Sequence, residues 1–451
     1  MHISPDRKIW RIAGPAMASN ISAASVGLVD SWAVGHLDNP LDLAGLALAA
    51  VIMSLLLWSL GFLRMGTTGM VAQDFGARQR GRLYRTVMRA LVLAVSLGGF
   101  MLIIVWPLTN AVLAMMAEGV EEASIARSYL DIRLWALPAV LVKLVAVGTL
   151  IGLQRAKTAL ALEVFLNVSN AILTVIFVVH LGLGVEGAAW SSLIAEASAG
   201  VAAVIALLTV FHPGPAKKIV GHRRFWRAQG FGRLLAVNGY LFLRTILLVS
   251  AFGLFVGVGD HLGADVVAGN HVLFNFMVLV GLGLDGMAYA AEALVGEAVG
   301  AKSRTDLTYW VRRTHFWALL LSIGYVIIFA LWGRDIVDIF THHEAIRQEA
   351  YAVLIWLTLL PVISVWGYQY DGIFIGATAS KEMLITMALA FGLYSVLLFF
   401  AVPRFGNHGL WFAFLVMNAV RGLGQAAIWP QVVKNSVGQN EYAGSGQNAS
   451  G

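Results

Sequence analysis

Long apolar runs follow one another along this chain, and no other feature restricts its fold so strongly. Each run extends for about 20 residues or more, the length that a helix needs to cross a ~30 Å hydrocarbon layer. The runs lack the two-residue alternation of a membrane β-barrel, so helices are left as the structure that satisfies its own backbone inside lipid. With 59% hydrophobic and 12% charged residues, the chain has too much apolar surface for a soluble fold. The sequence therefore predicts an all-α membrane protein.

Hydropathy predicts twelve transmembrane helices. They cover residues 10–36, 44–74, 87–108, 128–153, 157–180, 186–211, 233–258, 266–298, 312–333, 348–376, 382–402 and 409–432. The Gly/Ser/Asn-rich residues 435–451 are predicted to form a disordered tail or to be a remnant of an expression tag.

The basic residues are distributed unevenly over this map. Of the 31 lysines and arginines, 22 fall at one face of the predicted helices, 5 at the other and 4 within them. The positive-inside rule assigns the richer face to the cytoplasm, so both termini are expected there in a multi-pass protein of the inner (plasma) membrane. Because topology explains the basic residues, the expected partner is the lipid bilayer, and nucleic acid is not expected.

The second half of the chain repeats the first. A shift of 224 residues places residues 76–78 (Gly-Ala-Arg) on 300–302 (Gly-Ala-Lys) and Lys157 on Lys381. The predicted organisation is an N-lobe of six helices at 1–211, a basic cytoplasmic linker at 212–232 and a C-lobe of six helices at 233–434. Both copies begin at the same face, so the pseudo-symmetric lobes are parallel repeats. Transporters built in this way bind substrate between their halves and rock them.

Several kinds of chemistry are excluded by the sequence. No Gly-Lys dipeptide occurs, so a Walker A loop is absent, and neither HExxH nor GxSxG is present. The chain contains no cysteine, which excludes disulfides and thiolate metal sites. We expect no enzyme activity, no catalytic residue, no cofactor and no metal site, and energy would come from an ion gradient.

Polar residues within the apolar runs of the first half are candidates for function. Asp30 lies in the outer half of the first span, where a carboxylate is a natural proton carrier; the alternative is exposure at the outer surface. Pro15 removes a helical hydrogen bond, which creates either a functional bending point or an ordinary kink. Asn167, Asn170 and Thr174 share one face of the fifth span, where they either line a cavity or bind neighbouring helices.

The second half holds a second group of polar residues, Arg244, Asp285, Tyr289, Glu292 and Asp371. Their helix faces are expected to converge, forming either a structural ion-pair network or an ion-coupling site. We expect Arg244 to pair with one of the acids, and at least one remaining acid to have a functional role.

Four other charged residues lie in or near the spans. Glu196 is a carboxylate with no partner that the sequence identifies. Arg64 lies near the inner end of its span, and its side chain is expected to extend to the headgroups. Lys143 and Arg421 are deeper, and we expect them to face a cavity or a partner.

These residues belong to segments that resemble the multidrug and toxic compound extrusion (MATE) family, specifically its DinF-like branch. The resemblance covers about residues 7–434 and is carried by GLVDSWAVGHLD (27–38), FLRMGTTGMVAQDFGA (62–77), the NxxN of Asn167 and Asn170, LDGMAYAAEA (284–293) and DGIFIGAT (371–378). It implies a V-shaped bundle of two six-helix lobes that exports amphipathic, often cationic compounds in exchange for H⁺ or Na⁺.

The resemblance also implies roles for individual residues. Asp30 matches the aspartate that couples protons and contacts substrate, and Pro15 matches the proline at which the first helix bends. Asp371 matches an acid linked to cation binding in another branch. Many relatives carry an aspartate where this chain has Thr174. The coupling ion is therefore expected to be H⁺ rather than Na⁺, with this threonine and the two asparagines as partners of Asp30.

The leading hypothesis is a proton-driven exporter that works as a monomer on small amphipathic or cationic substrates. A Na⁺-coupled exporter is one alternative. A lipid-linked precursor flippase is another, and it would have a lateral groove lined by cationic residues. A third alternative is a receptor or scaffold that transports nothing.

Overall fold

The computed structural model describes residues 4–24, 32–35, 39–116, 119–223 and 225–438. These residues form helices and turns and contain no strand, which confirms the all-α fold class. The helices are α1 Pro5–Ala24, α2 Pro40–Leu60, α3 Phe62–Gly76, α4 Arg80–Met116, α5 Val120–Arg133, α6 Leu137–Gly152, α7 Ala156–Thr174, α8 Gly184–Val210, α9 Pro213–Val220, α10 Ala228–Asp260, α11 Ala264–Gly300, α12 Arg304–Phe340, α13 Glu344–Gly376 and α14 Ser380–Val437.

The described helices agree with the twelve predicted spans. Ten helical stretches are long and apolar enough to cross a membrane. One of them, α14, counts as two because Gly406 interrupts it with a φ of 52°, between the predicted eleventh and twelfth spans. The described part of the predicted first span is α1. The protein is therefore a twelve-helix membrane protein of two six-helix lobes.

Three spans contain local departures from α-helical geometry. The predicted second span is divided at Gly61, whose N–H donates to the carbonyl of Trp58, three residues earlier. A single 3₁₀ turn, Leu134–Ala136, joins α5 to α6. A π-helical turn, Val175–His180, follows α7, and such turns occur frequently at functional sites.

The structure adjusts two predicted boundaries. The linker at 212–232 contains the short helix α9, and α10 already begins at Ala228. At the other end, α14 extends to Val437 rather than ending at residue 434. The rest of the predicted tail, residues 439–451, lies outside the described residues.

The backbone repeats with the same shift as the sequence. Arg78, Gln154, Lys302 and Thr378 have left-handed φ angles of 55°, 60°, 55° and 54°, and a shift of 224 pairs the first with the third and the second with the fourth. Each follows a helix end, and its N–H donates to the carbonyl three residues earlier, as in a left-handed helix cap. We call the face that carries these four turns the basic face.

The first helix of each half packs against the opposite half. The α1 helix contacts α11, where a Cβ on Gly286 would lie 2.2 Å from the Met17 side chain. The α10 helix contacts α3, where a Cβ on Gly66 would lie 2.5 Å from Asn238 Oδ1. Close helix approach through glycine is typical of membrane bundles. The lobes therefore meet along these helices, and the principal cavity lies between them.

Candidate functional site

A cavity of about 470 Å³ lies between the two lobes. Its volume is in the range of sites for drug-sized molecules. The aromatic residues of its wall are Trp58, Phe252, Phe274, Tyr289, Tyr368 and Phe414. The charged residues of its wall are Arg64, Lys143, Glu163, Arg244, Asp285, Glu292, Asp371 and Arg421. Four cations and four carboxyl groups therefore face one mostly apolar space.

An ion pair across the cavity joins the two lobes. Arg64 of α3 donates to Glu292 of α11, with Nη1 at 3.0 Å from Oε2 and Nη2 at 3.4 Å from Oε1. The guanidinium also lies over the ring of Tyr289, 4.0 Å from its centroid. The side chain of Arg64 is 8% exposed. The prediction that Arg64 extends to the headgroups is therefore wrong, because a carboxylate on the opposite lobe holds it inside.

Asp371 is held by three side chains. Arg244 makes an ion pair with its Oδ2, Arg421 Nη2 lies 3.9 Å from the same oxygen, and Gln425 donates to Oδ1 at 2.7 Å. The predicted pairing of Arg244 with one acid of this group is confirmed. Because two cations already contact Asp371, it is poorly placed to bind a third cation in this conformation.

A third pair lies in the N-lobe wall. Lys143 of α6 is within 3.0 Å of both carboxylate oxygens of Glu163 on α7. The prediction that Lys143 faces the cavity or a partner is confirmed, since it does both. Glu163 was not among the predicted residues, although its position as the eighth residue of the membrane helix α7 was a signal that could have identified it.

Asp285 differs from the other acids of the cavity. Glu163, Glu292 and Asp371 each have a cationic partner, whereas Asp285 makes no ion pair with any residue that the structure describes. Its side chain lines the cavity one turn of α11 before Tyr289. A carboxyl group without a partner at membrane depth can take up a proton or a cationic ligand. Asp285 is therefore the acid of the described cavity wall that no described cation holds.

The polar stripe of α7 does not line this cavity. Asn170 donates to Ser192 at 3.0 Å, Thr174 lies 2.7 Å from the hydroxyl of Ser191, and Asn167 donates to Ser22. The stripe therefore joins α7 to α8 and to α1. Of the two predicted readings, bonding between helices is the one that the described contacts support.

The remaining predicted residues have different outcomes. Asp30 lies outside the described residues. Pro15 lies within a continuous α1, between the two residues of α1 that approach Gly286 most closely, Ala13 and Met17. Glu196, for which the sequence identified no partner, pairs with Arg133 of α5 at 3.1 Å.

Polar contacts close the basic face below the cavity. Glu297 of α11 accepts from Lys8 at 2.8 Å and from Gln154 at 2.7 Å. Gln73 of α3 donates to Thr378 at 3.1 Å. These bonds cross between the lobes. We call the two groups the Glu297 cluster (Glu297, Lys8, Gln154) and the Gln73 cluster (Gln73, Thr378, Arg233).

The two clusters are related by the repeat. A shift of 224 places Gln73 on Glu297 and Gln154 on Thr378, and Arg233, which donates to Gln73 at 3.0 Å, lies one residue beyond the equivalent of Lys8. Gly76 and Gly300 let the helices meet here, since a Cβ on either would lie 2.0 Å from a carbonyl oxygen of the other lobe. The hydrogen bonds described between the lobes lie at mid-depth or nearer the basic face. This conformation is therefore closed at the basic face.

Comparison with known proteins places the chain in a family. The MatE family model matches residues 15–176 and 241–400. The chain is 39% identical to the DNA damage-inducible protein F of Escherichia coli (strain K12), over 96% of this chain and 94% of that protein. It is 26% identical to a probable multidrug resistance protein NorM of Rhizobium meliloti (strain 1021), over 92% of this chain and 90% of that protein.

Solved structures share the fold at lower identity. One is a multidrug resistance MATE family transporter of the MOP superfamily in an outward-facing conformation, with a TM-score of 0.83 and 22% identity over 95% of this chain and 96% of that chain. Another is a MOP superfamily transporter from Pyrococcus furiosus whose binding pocket has reverse polarity, with a TM-score of 0.82 and 22% identity over the same shares. The family model covers most of the chain, and the sequence match to the Escherichia coli protein spans nearly all of both proteins. The chain therefore belongs to the MatE family of membrane transporters.

Proposed function

We propose that this protein is a secondary active antiporter that exports small amphipathic or cationic compounds in exchange for H⁺ by alternating access. Relatives named as multidrug resistance proteins support the substrate class. The cavity supports it independently, because aromatic side chains such as Trp58 and Phe414 bind the apolar part of such a compound and aromatic faces attract a cation.

The observation that carries the proposal is Asp285. Three of the four acids in the described cavity wall are neutralised by arginine or lysine. Asp285 is left to bind either a proton or the cationic group of a substrate, but not both. Competition for one carboxylate is the simplest physical basis for exchange, because each ligand is released when the other binds.

Asp30 is proposed as a second exchanging carboxylate, as the family resemblance implies. The α7 stripe contributes indirectly, since Asn167 holds Ser22 of α1, and the predicted first span carries Asp30. In this proposal the asparagines and Thr174 are positioning residues, and Pro15 gives α1 a place to bend as the lobes move.

Proton coupling is favoured over Na⁺ coupling by the surroundings of the acids. A sodium or other hard cation needs several oxygen ligands, but Asp371 is engaged by Arg244, Arg421 and Gln425. The flippase alternative calls for a groove of cationic residues. Each cavity cation lies instead beside a carboxylate, with Arg421 the most distant at 3.9 Å, and the described wall has four acids for its four cations.

Access to the cavity is proposed to alternate through the basic face. In the described conformation the Glu297 cluster and the Gln73 cluster hold the lobes together. Opening toward the cytoplasm would break both, while a cavity ligand changes the balance between the two states by its differential contacts. We further propose that a single copy is sufficient, with both termini in the cytoplasm.

Transport in proteoliposomes tests the proposal. Purified protein is reconstituted with an internal pH dye, and ethidium is added as a lipophilic cation, with and without Na⁺. Wild-type protein should give an ethidium-evoked pH change that does not need Na⁺. Asp285→Asn and Asp30→Asn should each abolish it, while the control Asp260→Asn, at an exposed helix end, should retain it.

The outcomes separate the hypotheses. Unaltered proton-driven export by Asp285→Asn would reject the role of this carboxylate. A pH change that appears only with Na⁺ would replace H⁺ by Na⁺ as the coupling ion. No gradient-dependent flux of ethidium or related cations would favour the flippase or the scaffold.

A further inference from the structure

A second pocket, of about 160 Å³, lies at the basic face between α3, α4 and α10. Four arginines line it, Arg82, Arg85, Arg89 and Arg233. Asp74 is the single acid among the described residues of its wall. We call this the arginine pocket.

The described contacts of the arginine pocket include one ion pair for its four arginines. Asp74 pairs with Arg82 at 2.7 Å. Arg89 donates through Nε and Nη2 to the main-chain carbonyl of Phe225, at 3.1 and 2.9 Å, and a carbonyl oxygen carries no formal charge. Arg233 donates to a neutral glutamine. Arg85 makes no ion pair with any residue that the structure describes.

The repeat shows how the other half of the molecule neutralises the equivalent arginine. A shift of 224 places Arg89 on Arg313. Arg313 binds both oxygens of Asp6 through Nε and Nη2, each at 2.6 Å, and Trp317 donates to the same carboxylate at 2.8 Å. The same backbone plan therefore places an arginine at this position in both halves.

The sequence position equivalent to Asp6 in the other half carries no carboxylate. The shift places Asp6 on Gly230, and the next residue, Phe231, lies with its ring 5.5 Å from the Arg89 guanidinium. Where the second half holds its own anion, the first half has an open pocket with three further arginines. The described wall of the first-half pocket therefore leaves room for an anion from outside the chain.

The surroundings of the arginine pocket lie at the boundary between water and lipid. The linker residue Trp226 is 55% exposed, while its neighbour Phe225 is buried against Arg89. Exposed tryptophan is typical of the headgroup region of a membrane. The basic residues Arg223 and Arg227 of the same linker add attraction to an anionic leaflet.

We propose that the arginine pocket binds a phosphate group, with an anionic phospholipid of the adjoining leaflet as its source in the membrane. Arginine is suited to this ligand because its planar fork donates two hydrogen bonds to neighbouring phosphate oxygens. Arg82, Arg85 and Arg89 belong to the first half and Arg233 to the second. A bound phosphate therefore bridges the lobes beside the Gln73 cluster and stabilises the closed basic face.

Native mass spectrometry of the full-length protein tests this inference without any transport measurement. Protein in detergent is titrated with phosphatidylglycerol and, separately, with phosphatidylcholine, whose headgroup has no net charge. Wild-type protein should retain one phosphatidylglycerol more tightly than phosphatidylcholine. Arg85→Gln should weaken this retention about fivefold, since each basic residue near an anionic surface contributes about 1 kcal/mol. Arg85 is exposed and has no described ion pair, so the substitution should leave the fold intact.

Arg80→Gln is the matched control, because Arg80 lies on the same helix, is exposed and is not part of the pocket wall. It should retain the lipid as wild type does. Inorganic phosphate is then added, with chloride at equal ionic strength as its reference. Displacement of phosphatidylglycerol by phosphate alone supports a pocket that also takes free phosphate, whereas retention supports the lipid as the ligand. Equal weakening by Arg85→Gln and Arg80→Gln, or no preference for phosphatidylglycerol in wild type, would overturn the proposal.

Discussion

The Arg64–Glu292 pair offers the most quantitative test of the site. Substituting Glu292→Gln keeps the shape of the side chain but leaves the Arg64 guanidinium without its anionic partner. Both side chains are nearly inaccessible, 8% exposed for Arg64 and 2% for Glu292. The pair also joins α3 to α11, so its loss weakens the contact between the lobes.

The expected cost follows from this burial. Removing one partner of a buried ion pair destabilises a protein by about 3–5 kcal/mol. Asp285 is a second, more distant source of negative potential at Arg64, so we expect the lower end of that range. For a chain of 451 residues, an unfolding entropy of about 2.1 cal/mol/K per residue converts about 3 kcal/mol into a Tm lowered by roughly 3 °C.

A double substitution separates the charge effect from packing. In Arg64→Met/Glu292→Met both charges are removed, and replacing a buried pair with apolar side chains is often neutral. We expect its Tm to lie closer to wild type than that of Glu292→Gln. Glu186→Gln, at an exposed carboxylate, is the control for the loss of one negative charge.

Thermal unfolding in detergent, followed by intrinsic tryptophan fluorescence at one fixed scan rate, is the assay. Two results would refute the reasoning. One is a Glu292→Gln protein as stable as wild type, which would mean that Arg64 finds water or another acid at no cost. The other is a double variant less stable than the single one, which would mean that the pair contributes net stability rather than only compensating its own burial.

Two further predictions concern the basic face. Gly300→Ala places a Cβ about 2.0 Å from the main-chain carbonyl oxygen of Gln73, so α3 and α11 must separate. A cysteine introduced at Gln73 in this cysteine-free chain should then react faster with a water-soluble maleimide than the same cysteine beside Gly300. Unchanged labelling would contradict the close contact. Hydrogen bonds from Arg313 and Trp317 lower the pKa of Asp6 to about 2. The stabilisation that depends on its charge is therefore complete above its ordinary pKa of about 3.9 and is lost only as the pH falls through 2. The Tm difference between Asp6→Asn and wild type should accordingly stay constant from pH 5 to 8, and a difference that shrinks toward pH 5 would argue against this pair.

The sequence predicted much of the scaffold correctly because that information is local. Whether a run of about 20 residues enters a membrane depends on its own side chains, so the spans were found with small errors at their ends. The repeat was also visible, and the left-handed residues Gln154 and Thr378, 224 positions apart, give it a backbone counterpart. The break in the second span at Gly61 was not predicted, because a glycine within an apolar run does not by itself indicate a tightened turn.

The depth of a charged residue along its own helix did not predict whether its side chain reaches the headgroups or forms an ion pair inside the protein. Arg64 is near enough to a helix end to reach the headgroups, but a carboxylate 228 positions away holds it inside. Glu163 was not predicted as a site residue, because its partner Lys143 lies on the preceding helix and the sequence does not show that the two side chains meet. The pairing of Arg244 with one of the acids was predicted, but the sequence showed neither that this acid is Asp371 nor which acid has no described ion pair.

Apolar length, the uneven placement of lysine and arginine, and the internal repeat thus determine that this chain is a helical membrane protein of two related lobes. Only the tertiary structure decided how its charges combine. Whether a buried carboxylate is neutralised depends on distances of 3–4 Å between atoms on different helices, because the interaction decays with distance and with water access. Those distances follow from packing. They leave Asp285 as the acid of the described cavity wall without an ion pair, and they give the arginine pocket four arginines and one acid among its described residues.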